Sequence, residues 1–194
     1  MTDELHIRPA RADELDELSE MAVSAGSPDA ADGQLAVVHR VGRLLTAELG
    51  GRAVGVAGSL PVAGATFVSD LFVSPDARGR GVGRALLEAL LADAGECVVF
   101  SSHHPAARHL YECLGLRPLG RLLYLERAGQ RRYVPDHAVA HVDDLVGSGW
   151  VVVDDDIVMA TQGWTWPEGL LEASPGRFWP DGDEGAEGVG SEQT

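Results

Sequence analysis

Residues 44–73 read as three strands, with apolar and polar residues alternating along the first, and on either side the period lengthens to that of a helix. Leu45, Ala47 and Leu49 alternate with Thr46 and Glu48, the pair Gly50-Gly51 suits a tight hairpin, and residues 54–60 form the return strand. Residues 61–64 make the next connection, and residues 65–73 complete a three-strand antiparallel meander. Before the meander, residues 5–8 read as a short strand closed by Pro9. Residues 13–23 follow as a helix with Leu15, Leu18, Met21 and Ala22 on one face, then a loop, then a second short helix over residues 34–41. After the meander, Val82, Leu86, Leu87, Leu90 and Leu91 mark the buried face of a helix that Gly95 ends. Residues 97–100 form a short inner strand, and Ala107, Leu110, Tyr111 and Leu114 recur at helical spacing before Gly115. Residues 119–125 fit another strand. Further on, residues 151–153 and 157–160 flank Asp154-Asp155-Asp156 and read as a hairpin or as the final strand of the fold.

The junction between the third meander strand and the next helix carries the chemistry. Leu71, Phe72 and Val73 suit an inner strand, Ser74-Pro75-Asp76 ends it, and Arg78-Gly79-Arg80-Gly81-Val82-Gly83-Arg84 opens a helix. Glycines at alternate positions let backbone approach a ligand closely, and a helix start offers unpaired N–H groups and a positive dipole end. Such a turn suits phosphate. It is neither of two familiar nucleotide loops: the dinucleotide pattern needs glycine where Arg84 stands, and the Walker loop needs a lysine, which the chain lacks altogether.

What the turn does match is R-x-x-G-x-G, as Arg78, Gly81 and Gly83, after Leu-Phe-Val-x-Pro and before an amphipathic helix. This resembles the acyl-CoA motif of the GNAT acetyltransferase superfamily. The resemblance covers residues 5–127 and implies an α/β (α+β) fold, a mixed and mostly antiparallel sheet flanked by helices, here with a C-terminal extension. It implies acetyl-CoA (coenzyme A) as cofactor, its pyrophosphate cradled by Arg78, Gly79, Arg80, Gly81, Val82 and Gly83, with Arg84 as a further phosphate neighbour. Backbone N–H groups of Leu71, Phe72 and Val73 would hold the pantetheine arm and polarise the thioester carbonyl. An ordinary glycine-rich turn with solvated arginines is the plainer alternative.

Tyr111 sits in A-x-x-L-Y-x-x-x-G and resembles the GNAT tyrosine that protonates the departing CoA thiolate; the plainer role is ring packing with the hydroxyl in water. Where many members have asparagine, this chain has His104 beside His103, suited to relaying a proton or to capping a helix. The position of the glutamate base of some relatives is Phe67. Asp70 resembles the acidic residue of polyamine and small-amine acetyltransferases in the family, with Glu48 in reserve. The catalytic set expected is therefore Tyr111, Asp70 and His104, with direct attack by the amine in a ternary complex. No metal site is expected, since no third ligand has recognisable spacing near the histidines.

Composition narrows the picture further. Thirty acidic residues against fifteen arginines give a formal charge of −15, which opposes nucleic acid and anionic membrane and suits an amine-bearing acceptor. The first residues lack a basic and apolar signal and no run has membrane-spanning length, so a cytoplasmic location is expected. Cys97 and Cys113 make no disulfide framework and read as small buried residues. The organisation expected is a core over residues 1–128, an extension over 129–180 that completes the sheet or forms a small tryptophan-rich subdomain, and a disordered acidic tail over 181–194. Residues 129–148 read as an insertion lining the acceptor site or the start of a second such unit. Trp150, Trp164, Trp166 and Trp179 suit core packing, then a homodimer surface, then an acceptor pocket. The function expected is an N-acetyltransferase acting on a primary amine of a small molecule or protein, the alternative being a non-catalytic acyl-CoA-binding regulatory or assembly module.

Overall fold

A computed structural model of the chain describes residues 4–26, 33–62, 64–136 and 139–166. Among these residues the strands are β1 (Leu5–Pro9), β2 (Arg43–Leu49), β3 (Arg52–Val62), β4 (Ala65–Val73), β5 (Cys97–Ser101), β6 (Arg117–Arg127), β7 (Gln130–Pro135) and β8 (Val151–Ala160). They form one sheet in the order β1-β2-β3-β4-β5-β8-β6-β7, antiparallel throughout except for the parallel pair β4–β5. The helices are α1 (Leu15–Ser24), α2 (Gln34–Val41), α3 (Val82–Leu90), α4 (Pro105–Cys113) and α5 (Val139–Gly147). This is the mixed, mostly antiparallel sheet with flanking helices that the sequence implies.

Alternation along the strands sorts the core into two layers. Leu18 of α1 and Leu35 and Val38 of α2 pack with Val56, Leu60, Phe67 and Val158 on one face. Leu86 and Leu87 of α3 and Tyr111 of α4 pack with Ala57, Val68 and Met159 on the other. A smaller cluster joins Leu125 and Val134 to Leu145 and Trp150 beside the β6–β7 hairpin.

Two irregularities in β4 matter most. Val68 pairs with Ser59 and Asp70 with Gly58, so Ser69 is an extra residue without an opposite number, a β-bulge. The bulge shifts the alternation by one: Val68, Leu71 and Val73 all join the α3 face, while Phe67 and Phe72 join the α1–α2 face. Parallel pairing with β5 covers Thr66, Phe67 and Val68 and stops there. Beyond it β4 stays with β3 and β5 stays with β8, which leaves a slot between residues 69–73 and the end of β5.

Two expectations change, and of the two readings of residues 151–160 one holds. That stretch is the final strand of the described sheet and not a hairpin: β8 runs continuously from Val151 to Ala160, because β6 pairs with it on both sides of Asp154, Asp155 and Asp156. It supplies the strand between β5 and β6, and residues 130–147 form β7 and α5. The helix assigned to Gly95 ends earlier, at Leu90, whose carbonyl accepts a hydrogen bond from Arg43 Nη1 at 3.1 Å. Cys97 is buried, but Cys113 is exposed, its Sγ lying 3.5 Å from His109 Nε2 one turn back. Trp150 and Trp164 are buried, and Trp166 packs edge-on to Trp164 with ring centroids 5.4 Å apart, consistent with core packing. Trp179 and residues 181–194 lie outside the described residues. No helix among the described residues is long and apolar enough to cross a membrane.

Gly42 joins α2 to β2, and a Cβ there would lie 2.1 Å from the Ser59 carbonyl oxygen. That oxygen belongs to backbone held in the sheet, so it cannot swing away. Gly42→Ala is expected to destabilise the fold by about 2–3 kcal/mol, the cost of overpacking, measured as a lower urea midpoint with an unchanged slope.

Candidate functional site

The glycine turn begins where β4 ends. A short 3-10 turn over Pro75–Ala77 leads to Arg78 in extended conformation, Gly79 at φ +74°, and Gly81 at φ +80° as the N-cap of α3. Both glycines occupy left-handed backbone that other residues adopt with strain, which is why the sequence spaces them so. Gly81 has no side chain to cap the helix, so the first N–H groups of α3 stay available to an external anion. Gly83 is helical, and a Cβ there would make only ordinary contacts with Leu110 and Val73, at 3.5 and 3.6 Å.

The arginines of the turn divide their work. Arg78 donates to the Val73 carbonyl at 3.2 Å and to the Ala25 carbonyl at 2.8 Å, tying the turn to the end of β4 and to the end of α1. Arg84 pairs with Glu88 at 2.7 Å along α3. Arg80, at the tip between the two left-handed glycines, is exposed. A glycine cradle, an uncapped helix start and the slot beside β4 together fit a long ligand with a phosphate end and a thin, extended arm.

Asp70 lies on the wall of the slot, just past the bulge. Its partner Gly58 sits between Val56 and Leu60 on the α1–α2 face, and the Asp70 carboxylate occupies the space a side chain at position 58 would take, 2.9 Å from a Cβ built there. The residue is only 2% exposed. Gln34 Nε2 of α2 donates to Oδ1 at 2.7 Å and Ser69 Oγ to Oδ2 at 2.6 Å. Both donors are neutral, and burial wins over them: it pushes the Asp70 carboxyl up to about 6. The carboxylate is thus a stronger base than usual and still mostly ionised at neutral pH.

Tyr111 approaches from the opposite face. It is 5% exposed and packed among the α3 side chains. Burial raises its hydroxyl well above the usual phenol range, and the charges of Asp70 and Asp156 raise it further, so the phenol stays protonated and can only give a proton. Asp70 and Tyr111 thus belong to opposite faces of the sheet, near enough for the charge of the carboxylate to act on the phenol.

The remaining candidates lie around this pair. His104 is the N-cap of α4: its Nδ1 accepts from the Ala106 N–H at 3.2 Å. His103 Nε2 lies 3.0 Å from Asp155 Oδ2. Glu48, the reserve base, is bound by Arg8 together with Glu14, and the Arg8 guanidinium lowers its carboxyl below the usual range, which unsuits it for taking protons. Phe67 packs against Phe100, ring centroids 4.9 Å apart. Two contributors escape the sequence reading. Gln34 is legible only as a helix residue, and the Tyr124 hydroxyl bonded to Asp156 joins residues from different strands with no local pattern.

Comparison with known proteins agrees with this geometry. A family model for the acetyltransferase (GNAT) domain matches residues 40–117. Mycothiol acetyltransferase of Streptomyces coelicolor is 37% identical over 153 residues, covering 66% of this chain and 48% of that protein. That of Clavibacter sepedonicus is 50% identical over 60 residues, covering 29% and 20%. The chain thus spans about half the length of the first relative and a fifth of the second. The structure of the ribosomal-protein-S18-alanine N-acetyltransferase from Escherichia coli superposes with a TM-score of 0.61 at 18% identity, covering 86% of this chain and 98% of that one. At that identity the likeness is one of fold.

The buried carboxyl makes a prediction of unusual sign. Its folded pKa of about 6 exceeds the ordinary 3.8, so the folded state binds the proton more tightly than the unfolded chain. That contribution is complete below 3.8 and is lost as pH rises through 6, a difference of about 3 kcal/mol. Asp70→Asn carries no charge and is expected to be more stable than the wild type at pH 8 and about equal to it at pH 4, by urea denaturation at both. A wild type that is the more stable at pH 8 would overturn the assignment.

Proposed function

Because the chain belongs to the GNAT acetyltransferase superfamily, we propose that it is an acetyl-CoA-dependent N-acetyltransferase that passes the acetyl group directly to a primary amine. The observation that carries this reading is the placement of Asp70 and Tyr111 on opposite faces of one slot, with the glycine turn at its mouth. Gly79, Gly81 and the first N–H groups of α3 would hold the pyrophosphate, with Arg80 beside it, and bound acetyl-CoA would supply the acetyl group as a thioester. The backbone edge of β4 beyond its pairing with β5, over residues 71–73, would hold the extended arm, as the edge of a sheet holds an added strand, with the Val73 carbonyl already taken by Arg78.

Asp70 takes the proton of the acceptor ammonium and leaves a neutral amine facing the slot. Its desolvated carboxylate, with a pKa of about 6, suits that step near neutral pH. Tyr111 gives a proton to the leaving sulfur from the other face, which keeps the thiolate from reversing the reaction. His104, whose Nδ1 caps α4, supports the helix that carries Tyr111. The printed name of the relatives puts mycothiol beside small amines and polyamines in an acceptor screen.

Two experiments test the reading. Acetyl-CoA at about 100 times its dissociation constant is expected to stabilise the protein by roughly 2.7 kcal/mol, and Gly83→Asp, which sets a carboxylate at the helix start, to abolish the thermal shift. Retained binding in that variant would sink the cofactor site. Tyr111→Phe is expected to lower kcat by about 10²–10⁴-fold with acetyl-CoA affinity unchanged, and the acid limb of the wild-type rate profile to fall below pH 6 and to vanish in Asp70→Asn. Cofactor binding without transfer to any amine would favour the non-catalytic module.

A further inference from the structure

Asp156 is a half-buried carboxylate that the proposed transfer does not use. β8 pairs Ile157 with Ser101, the last residue of β5, so Asp156 is the next residue out, at the level where the slot opens. Its partner on β6 is Leu122, and both Leu122 and Val158 belong to the α1–α2 face. Asp156 therefore emerges on the same face as Asp70. Only β5 runs between β4 and β8, so at least two strand spacings, about 10 Å, separate the backbones that carry the two carboxylates.

The surroundings of the two aspartates on β8 differ. Asp155 is committed: His103 lies 3.0 Å from it and Arg121 Nη1 3.6 Å, and Arg121 also reaches Asp136 at 3.5 Å. Asp156 accepts a hydrogen bond from the Tyr124 hydroxyl, a neutral donor, while Arg121 is turned to Asp155 and Asp136. His103 acts on Asp156 electrostatically without bonding to it. The Tyr124 ring packs edge-on to Tyr133, centroids 4.9 Å apart, so the carboxylate is flanked by aromatic surface. A partly desolvated carboxylate with one neutral donor and aromatic neighbours is the chemistry that receives an ammonium group.

We propose that Asp156, held by Tyr124, anchors a second cationic group of the acceptor, so that the protein selects amines carrying two positive charges. The inference rests on the N-acetyltransferase reading above. One ammonium gives its proton to Asp70 and is acetylated; the other stays charged against Asp156, at a distance that a short diamine spans. A neutral tail would leave the Asp156 carboxylate with the Tyr124 hydroxyl as its hydrogen-bond donor and no cation bonded to it, and the site discriminates against it for that reason.

The test compares acetylation of 1,5-diaminopentane with that of 1-aminopentane by the full chain. The wild type is expected to favour the diamine by at least about tenfold in kcat/KM, the value of roughly one charge-assisted hydrogen bond. Asp156→Asn is expected to bring the ratio close to one through a higher KM for the diamine, while Asp154→Asn, an exposed neighbour, leaves the ratio as it is. No preference in the wild type, or a ratio that survives Asp156→Asn, overturns the proposal and leaves the transferase reading intact. If acetyl-CoA gives a thermal shift but neither amine is acetylated, calorimetric titration of 1,5-diaminopentane into the CoA-loaded protein decides. Binding that Asp156→Asn weakens at least tenfold supports the anchor, and absence of binding overturns it. Loss of the acetyl-CoA shift itself would instead fail the transferase reading.

Discussion

Parallel pairing between β4 and β5 runs for three residues and then ends, because the bulge at Ser69 turns β4 while β5 keeps its register with β8. Everything the site offers follows from that parting. It exposes a length of strand edge inside a sheet whose inner strands are otherwise paired on both sides. It also sets Asp70, one residue past the bulge, on the face opposite Leu71 and Tyr111. A regular strand would put residues 68–73 in a single alternation and send the carboxylate into the apolar layer beneath α3.

The two carboxylates first considered as bases show how partner choice, and not residue type, sets chemistry. Glu48 and Glu14 share the Arg8 guanidinium and are held ionised by it. Asp70 has Gln34 and Ser69, which satisfy its oxygens without charge. The first arrangement locks β1 to β2 at the sheet edge; the second stores basicity in the interior.

Much of this was legible in the sequence, for identifiable reasons. The meander, the glycine turn and the Tyr111 helix are local patterns, in which spacing alone fixes the face and the φ demand fixes Gly79 and Gly81. The bulge was not legible, since Ser69-Asp70 reads as ordinary strand and the register shift depends on Gly58 across the sheet. The continuity of β8 was legible only as one of two readings, beside a hairpin. Three adjacent aspartates look like a turn until Tyr124, His103 and Arg121 arrive from distant segments to partner them. Cys113 reads as buried because a free cysteine is a small apolar residue, yet it lies on the exposed side of α4, away from Tyr111.

The order of strands in space has a bearing on how the molecule comes into being. β6 and β7 are synthesised before β8, yet they join the sheet only through it. Until residues 151–160 have left the ribosome and paired, β6 and β7 have no place in the sheet, and both β5 and β6 present an open edge able to capture a foreign strand. The last of the described strands is thus a keystone between β5 and β6, and the time before its insertion is when this chain is most exposed to misassembly in the crowded cell.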